Sequence, residues 1–281
     1  MKKGWKIFWS VCGVSMVVGI ICCVMSLSLG VTVEAIAKHF PNGCIGLGSE
    51  YVGFLCHDRE NTEYRGTNSV ENYPGVREID VEMGAGNVIV ELYDGESVSV
   101  ETQNVTEHLK FRSYMEGDTL NLRTRKRVVG VNGGGEIGTI YLRIPREMKP
   151  DDVSMQIKVG ELRAEDINAK ELSVEMGVGN AVVHNFHADK ASLKCGTGSL
   201  EVTGNAGTEL DLENDIGDII CHVTGNQKEY NYNIGCDVGE VRIGEEVYSG
   251  IKERENVHNN AGKLMNIECG IGDVTVDFTG A

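Results

Sequence analysis

Three kinds of side chain in this sequence could do chemistry: histidines close to an acid, thiols, and clustered carboxylates. His184 and His187, with Asp189 beside them, have the residue types of a metal site. On a strand, however, an offset of three sends two side chains to opposite faces, which favours exposed histidines over a ligand pair. Cys195, Cys236 and Cys269 recur among apolar neighbours at one position of a repeat, which suits small core residues better than reactive thiols. Cys44 and Cys56 lie in a looser segment and are the candidate disulfide pair, the alternative being free thiols in a reducing habitat. No Gly-Lys-Ser/Thr phosphate loop and no Gly-x-Ser-x-Gly elbow occurs. A strand rather than a helix is expected after every Gly-x-Gly, so these glycines do not form a dinucleotide site.

The elements that would carry these residues come from a repeat. Thirty-six glycines against four prolines are arranged periodically. Four copies of one template carry the pairs Gly84/Gly86, Gly177/Gly179, Gly196/Gly198 and Gly270/Gly272. Degenerate copies centre on Gly160, Gly217 and Gly239, with Lys158, Asp215 and Asp237 at the first glycine position. From Gly160 through Gly179 and Gly198 to Gly217 the spacing is 19 residues each time, then 22 to Gly239 and 33 to Gly272. Five residues before the second glycine stand Val81, Met155, Val174, Leu193, Leu212, Ile234 and Ile267; two after it stand Val88, Leu162, Ala181, Leu200, Ile219, Val241 and Val274. The intervening positions are mostly polar. This alternation describes half-buried strands, and its phase slips by one residue at the glycine, as it must where the chain turns a corner. Glycine suits such a corner because it accepts positive φ and carries no side chain to meet the coil above.

A unit of this length cannot bury a core alone, so successive copies must stack. The expectation is an all-β fold, a parallel β-solenoid, with a meander of antiparallel hairpins as the alternative, because period alone does not give strand direction. The acid-rich stretch from Glu245 to Ala261 should leave the solenoid as a loop. Further upstream, Ser97–Glu101, Leu120–Leu122 and Ile140–Ile144 read as strands, and Gly133-Gly134-Gly135 as a mobile loop.

Stacking in sequence order would set Asp215 beside Asp237 and Asp218 beside Glu240, about 4.8 Å apart. Four carboxylates at one corner form a solvated acidic surface or, as the less favoured reading, a calcium site, since calcium accepts irregular oxygen-rich geometry. No other cofactor is implied.

The first acidic residue is Glu34; before it stand only Lys2, Lys3 and Lys6 and then an uncharged, largely apolar run from Ile7 to Val33. That run is long enough to span a bilayer as a helix. A signal peptide cleaved near Ala35-Ile36-Ala37 competes with it, although the apolar core of such a peptide is usually only about 7–15 residues long. The three lysines place residues 1–6 in the cytoplasm, 7–33 in the cell membrane, 34–74 in a juxtamembrane stalk and 75–281 in an extracytoplasmic solenoid. Without those lysines the chain has 23 basic against 42 acidic residues, so its surface repels nucleic acid and anionic lipid. The expected partners are the bilayer, through the N-terminal helix, and a cell-wall component or membrane protein.

The run Ile140-Tyr-Leu-Arg-Ile-Pro145, the repeated Gly-x-Gly strands and the closing Asn259-Asn-Ala-Gly262 and Gly270-Ile-Gly-Asp-Val-Thr-Val276 resemble the bacterial putative-adhesin family of β-strand repeats, also called the toastrack domain. The resemblance covers about Gly75 to Phe278. It implies a membrane-anchored envelope protein without catalytic residues, acting in adhesion, wall association or envelope-stress sensing. The alternatives are a polysaccharide-active β-helix enzyme, for which no acid/base pair declares itself, and a regulator of a membrane complex that uses its helix as the contact.

Overall fold

A computed structural model describes residues 46–47, 50–51, 66–125 and 138–280. The expected membrane span, Cys44, Cys56 and Gly133-Gly134-Gly135 lie outside the described residues. Among the described residues no helix is long and apolar enough to cross a membrane. Two units are distinguished. In the first, β1 (Gly46–Leu47) and β2 (Glu50–Tyr51) pair antiparallel. Among its described residues, the second has strands joined by turns and bends, with two 3-10 turns at Glu107–Leu109 and Gln227–Glu229.

The body of this second unit is a stack of parallel coils. β4 (Glu78–Met83) and β5 (Gly86–Tyr93) flank the first glycine corner, and both pair in parallel with β10 (Asp152–Glu165). β10 pairs in turn with the start of β11 (Glu171–Val223), a single run of strand that winds through three coils. Inward residues form ladders: Val81, Met155 and Val174 are in register, and each is buried. The solenoid expectation therefore holds for the body, and parallel pairing replaces the antiparallel alternative there.

Each middle coil also has a short third side. Asn185 takes φ +54°, Phe186 and Ala188 turn inward, and His187 bridges in parallel to Asn168 of the coil before. The positive φ at Asn185 restarts the alternation, so His184 and His187 both point outward rather than to opposite faces. His187 Nδ1 lies 3.2 Å from Asn205 Oδ1.

Spatial order departs from sequence order beyond Val223. β14 (Lys263–Phe278) lies between the third coil of β11 and β12 (Tyr230–Ile243), parallel to both. The Glu245–Ala261 insertion is not a loop outside the solenoid. Its central part is β13 (Glu246–Val257), which pairs antiparallel along the whole of β12 from Tyr232↔Val257 to Ile243↔Glu246. An antiparallel return delivers the chain to the side where coils begin, so five residues suffice to enter β14.

Antiparallel strands close the other end too. β5 is extended in parallel by β9 (Thr139–Pro145), on which β6 (Val98–Thr106) and then β3 (Gly66–Tyr73) add antiparallel; β4 is extended in parallel by β8 (Thr119–Arg123), on which β7 (Arg112–Glu116) adds antiparallel. The strand-like runs expected at 120–122 and 140–144 are strands, and the run expected at 97–101 is strand from Val98. β3 lies within the stretch expected to be stalk, because its eight residues complete the edge of β6.

Candidate functional site

The glycine corner gives the surface its most regular feature. At Gly198 φ is +133°, and a Cβ there would sit 1.9 Å from the Gly179 carbonyl oxygen of the coil before; Gly179 meets Gly160 in the same way. A side chain is excluded by the neighbouring backbone and by the dihedral together. The bend has a second effect. The residue between the two glycines would point inward if the strand alternation continued through it, and the corner turns it out instead.

As a result, an aliphatic ridge climbs the corner. In spatial order it comprises Val159, Val178, Thr197, Ile216, Ile271 and Val238, whose large apolar members are 48–53% exposed. It begins after Ala85, which is 2% exposed. Of nine large apolar side chains exposed among the described residues, five belong to this one repeat position, so the ridge is a property of the repeat rather than scattered surface. Beside it a notch of about 330 Å³ opens where Gly177 and Gly196 leave the backbone bare, bounded by Glu175, Lys194, Thr197, Asp215 and Ile216. Lys194 donates to Glu213 at 2.7 Å, and that hydrogen bond raises the lysine pKa above its ordinary value.

Acid flanks the ridge. The residues following the second glycine include Glu161, Asn180, Ser199, Asp218, Asp273 and Glu240 in spatial order. The structure corrects the expected crowding of Asp215, Asp218, Asp237 and Glu240. Because β14 intervenes, Asp218 and Glu240 each neighbour Asp273 and stand two strands apart, and Gly270 separates Asp215 from Asp237. Arg254 of β13 bonds Asp237 at 3.1 Å, and Arg242 bonds Glu240 at 2.5 Å. Among the described residues no group of three or more His, Cys, Asp and Glu is placed to hold a metal.

Inside the corner, the position three before the second glycine is buried. Asn214 donates through Nδ2 to the Gly217 carbonyl at 2.6 Å, and Cys269 Sγ lies 3.2 Å from the Gly272 carbonyl, so a short polar side chain here ties the bend from within. Cys195, Cys236 and Cys269 are buried as expected. The sequence reading missed the ridge because strict alternation assigns its residues to the core; the signal was the apolar middle residue recurring within Gly-x-Gly.

The family model described as Toastrack DUF4097 matches residues 76–280. Among solved structures, the chain is similar to a putative cell adhesion protein from Clostridium sporogenes at 13% identity, covering 76% of this chain and all of that one with a TM-score of 0.47. A putative adhesin from Bacteroides fragilis matches at 15% identity over 75% of this chain and 96% of its own, with a TM-score of 0.40. A protein from Parabacteroides distasonis titled a putative lipid binding protein matches at 16% identity over 75% and 96%, with a TM-score of 0.26. No curated protein matches the chain.

Proposed function

The chain belongs to the toastrack family, and from that premise we propose that it is a non-enzymatic envelope protein, held in the cell membrane by residues 7–33. Its solenoid is displayed outside the cytoplasm, where the glycine corner binds another envelope component in attachment, wall association or stress sensing. The ridge carries this reading. An exposed row that is aliphatic on five of six successive strands is a costly feature for a free surface and an ordinary one for a contact face. Its acidic flanks select the partner's chemistry: an apolar stripe bordered by Lys or Arg, since a second copy of this chain would bring acid against acid. Lys2, Lys3 and Lys6 ahead of the uncharged run support the anchor and its orientation.

A photo-crosslinking side chain at Asn180, beside the ridge, tests the contact in intact cells. Discrete crosslinked species should form and should be lost when Val178, Ile216 and Ile271 are all changed to Ser, a variant that keeps the charge and the buried core. Unchanged crosslinks in that variant would reject the ridge. Protease added to protoplasts should remove the solenoid and leave a small membrane-bound fragment; a protected solenoid would reject the topology.

A further inference from the structure

The pairing of β12 with β14 sets side by side two thiols that the sequence holds 33 residues apart. The ladder inside the glycine corner reads, in spatial order, Ile157, Met176, Cys195, Asn214, Cys269 and Cys236. If the coils stacked in sequence order, Cys236 would lie between Asn214 and Cys269. With β14 placed between the third coil and β12, Cys236 loses Asn214 as a neighbour and keeps Cys269 as its direct partner on the neighbouring parallel strand. Both side chains point inward and are buried. In-register partners on adjacent strands are about 4.8 Å apart, inside the about 4.4–6.8 Å between Cα atoms that a disulfide spans. Cys195 has no such partner, because Asn214 separates it from Cys269, and Cys221 lies on the other side of the corner.

We propose that Cys236 and Cys269 form a disulfide that staples β12 to β14. The two S–H bonds break and one S–S bond forms. A disulfide-bearing oxidant, protein or small molecule, takes up the two electrons and two protons and leaves as two thiols. Exchange of this kind needs a thiolate. In the closed corner, burial pushes the Cys269 thiol up to about 11. The bond therefore forms while β14 is docking, before the corner closes, and is afterwards shielded from reductant by the same burial. The inference rests on the extracytoplasmic reading, because a disulfide persists in an oxidising compartment.

The test uses the full chain in two settings. In the first, purified protein is reduced and unfolded, refolded in oxidised and reduced glutathione, then unfolded in an alkylating reagent and digested with trypsin. The peptides 229–242 and 264–281 should appear as one linked species, two hydrogens lighter than their sum, that reductant separates. The peptide 195–228 should carry two alkyl groups and so report Cys195 and Cys221 as free thiols. Reductant should also lower the Tm by several degrees, and Cys236→Ala should abolish that shift. Fully alkylated 229–242 and 264–281 in oxidising buffer would overturn the disulfide. In the second setting, whole cells are quenched with acid and alkylated. A linked pair there supports the bond and the compartment together; a pair linked in glutathione but alkylated from cells supports the bond and overturns the extracytoplasmic placement.

Discussion

The stack from Gly160 to Gly217 and the stack around Gly239 and Gly272 use one corner and differ in everything that connects it. In the first, connections are uniform, third sides are short, and Ala169, Ala188 and Ala206 fill them. Each coil can only lie on the one before. In the second, the chain leaves Val223, passes the turn at Gln227–Glu229, skips a place, lays down β12 and β13, and returns to fill the gap with β14. Among the described residues β14 is followed by no third side, and aromatic rings occupy that space. Tyr230 is buried, packs 6.0 Å from Phe278 and 6.3 Å from Tyr232, and reaches across to donate to the Ala206 carbonyl at 3.3 Å. A conserved corner geometry fixes how coils touch, then, while connection length fixes which coils do.

The largest expected effect tests the part the two regions share. Gly198→Val places a side chain against backbone on the coil before it, at a φ valine rarely adopts, and should cost more than about 4 kcal/mol. Gly239→Val should cost as much, since its Cβ would meet the Gly272 oxygen at 1.8 Å. Denaturant midpoints close to the parent's for either would break the common corner.

Tyr230→Ala sharpens the difference, because it empties space that a ring fills where β14 has no third side of its own. A loss of about 3–5 kcal/mol is expected, against about 1 kcal/mol for Tyr230→Phe, which removes only the hydroxyl. Equal losses from the two would mean that the hydrogen bond, not the ring, holds the space. Native-state hydrogen exchange on the alanine variant should show faster exchange in β12 and β14 while β10 keeps its protection.

Charge separates the regions on a smaller scale. Around β12, Arg254 serves Asp237 at 3.1 Å and Glu268 at 3.7 Å, yet all three side chains are more than half exposed. Arg254→Ala should therefore cost less than about 1 kcal/mol, and less again in high salt. In the uniform stack, Asp152 lies in register between Glu78 and Glu171. Its pKa is raised, first by burial and then by Glu171, Glu78 and Asp80. A carboxyl whose folded pKa lies above its unfolded value opposes folding when ionised, so Asp152→Asn should raise the Tm slightly at neutral pH. The gain should shrink as pH falls through the raised value and vanish once Asp152 is protonated in both states. A gain that persists in acid would point to something other than the row of like charges.

What could be read from the sequence follows the same division. Where spacing is constant, the ladders Met155/Val174 and Leu162/Ala181 were predictable residue by residue, because one period fixes both register and neighbour. Once spacing grows to 22 and then 33, period still gives register, so Ile234 and Ile267 align correctly, but it no longer gives order. That is why the four-carboxylate corner was misplaced. The Cys236/Cys269 pair adjoins in either order and was passed over because its apolar ladder reads as plain core. β13 was hidden for another reason: its charged residues look like a loop, and charge is what an edge strand needs when one side must stay unpaired. The ridge at Val178 and Ile216 was concealed by alternation itself, which fails at the one residue where the chain bends.

The place left for β14 has a consequence for how the protein is made. A ribosome delivers the chain from its first residue onward, so β12 and β13 emerge before the strand that must pass between β12 and the third coil. Until β14 arrives, two parallel edges face an empty lane, each presenting unpaired amide and carbonyl groups that any passing strand could occupy. Biogenesis of this molecule therefore contains a waiting interval with a defined vulnerability. A chain stalled or clipped before Lys263 would carry that open lane permanently and be prone to capture a neighbour's β14 in place of its own.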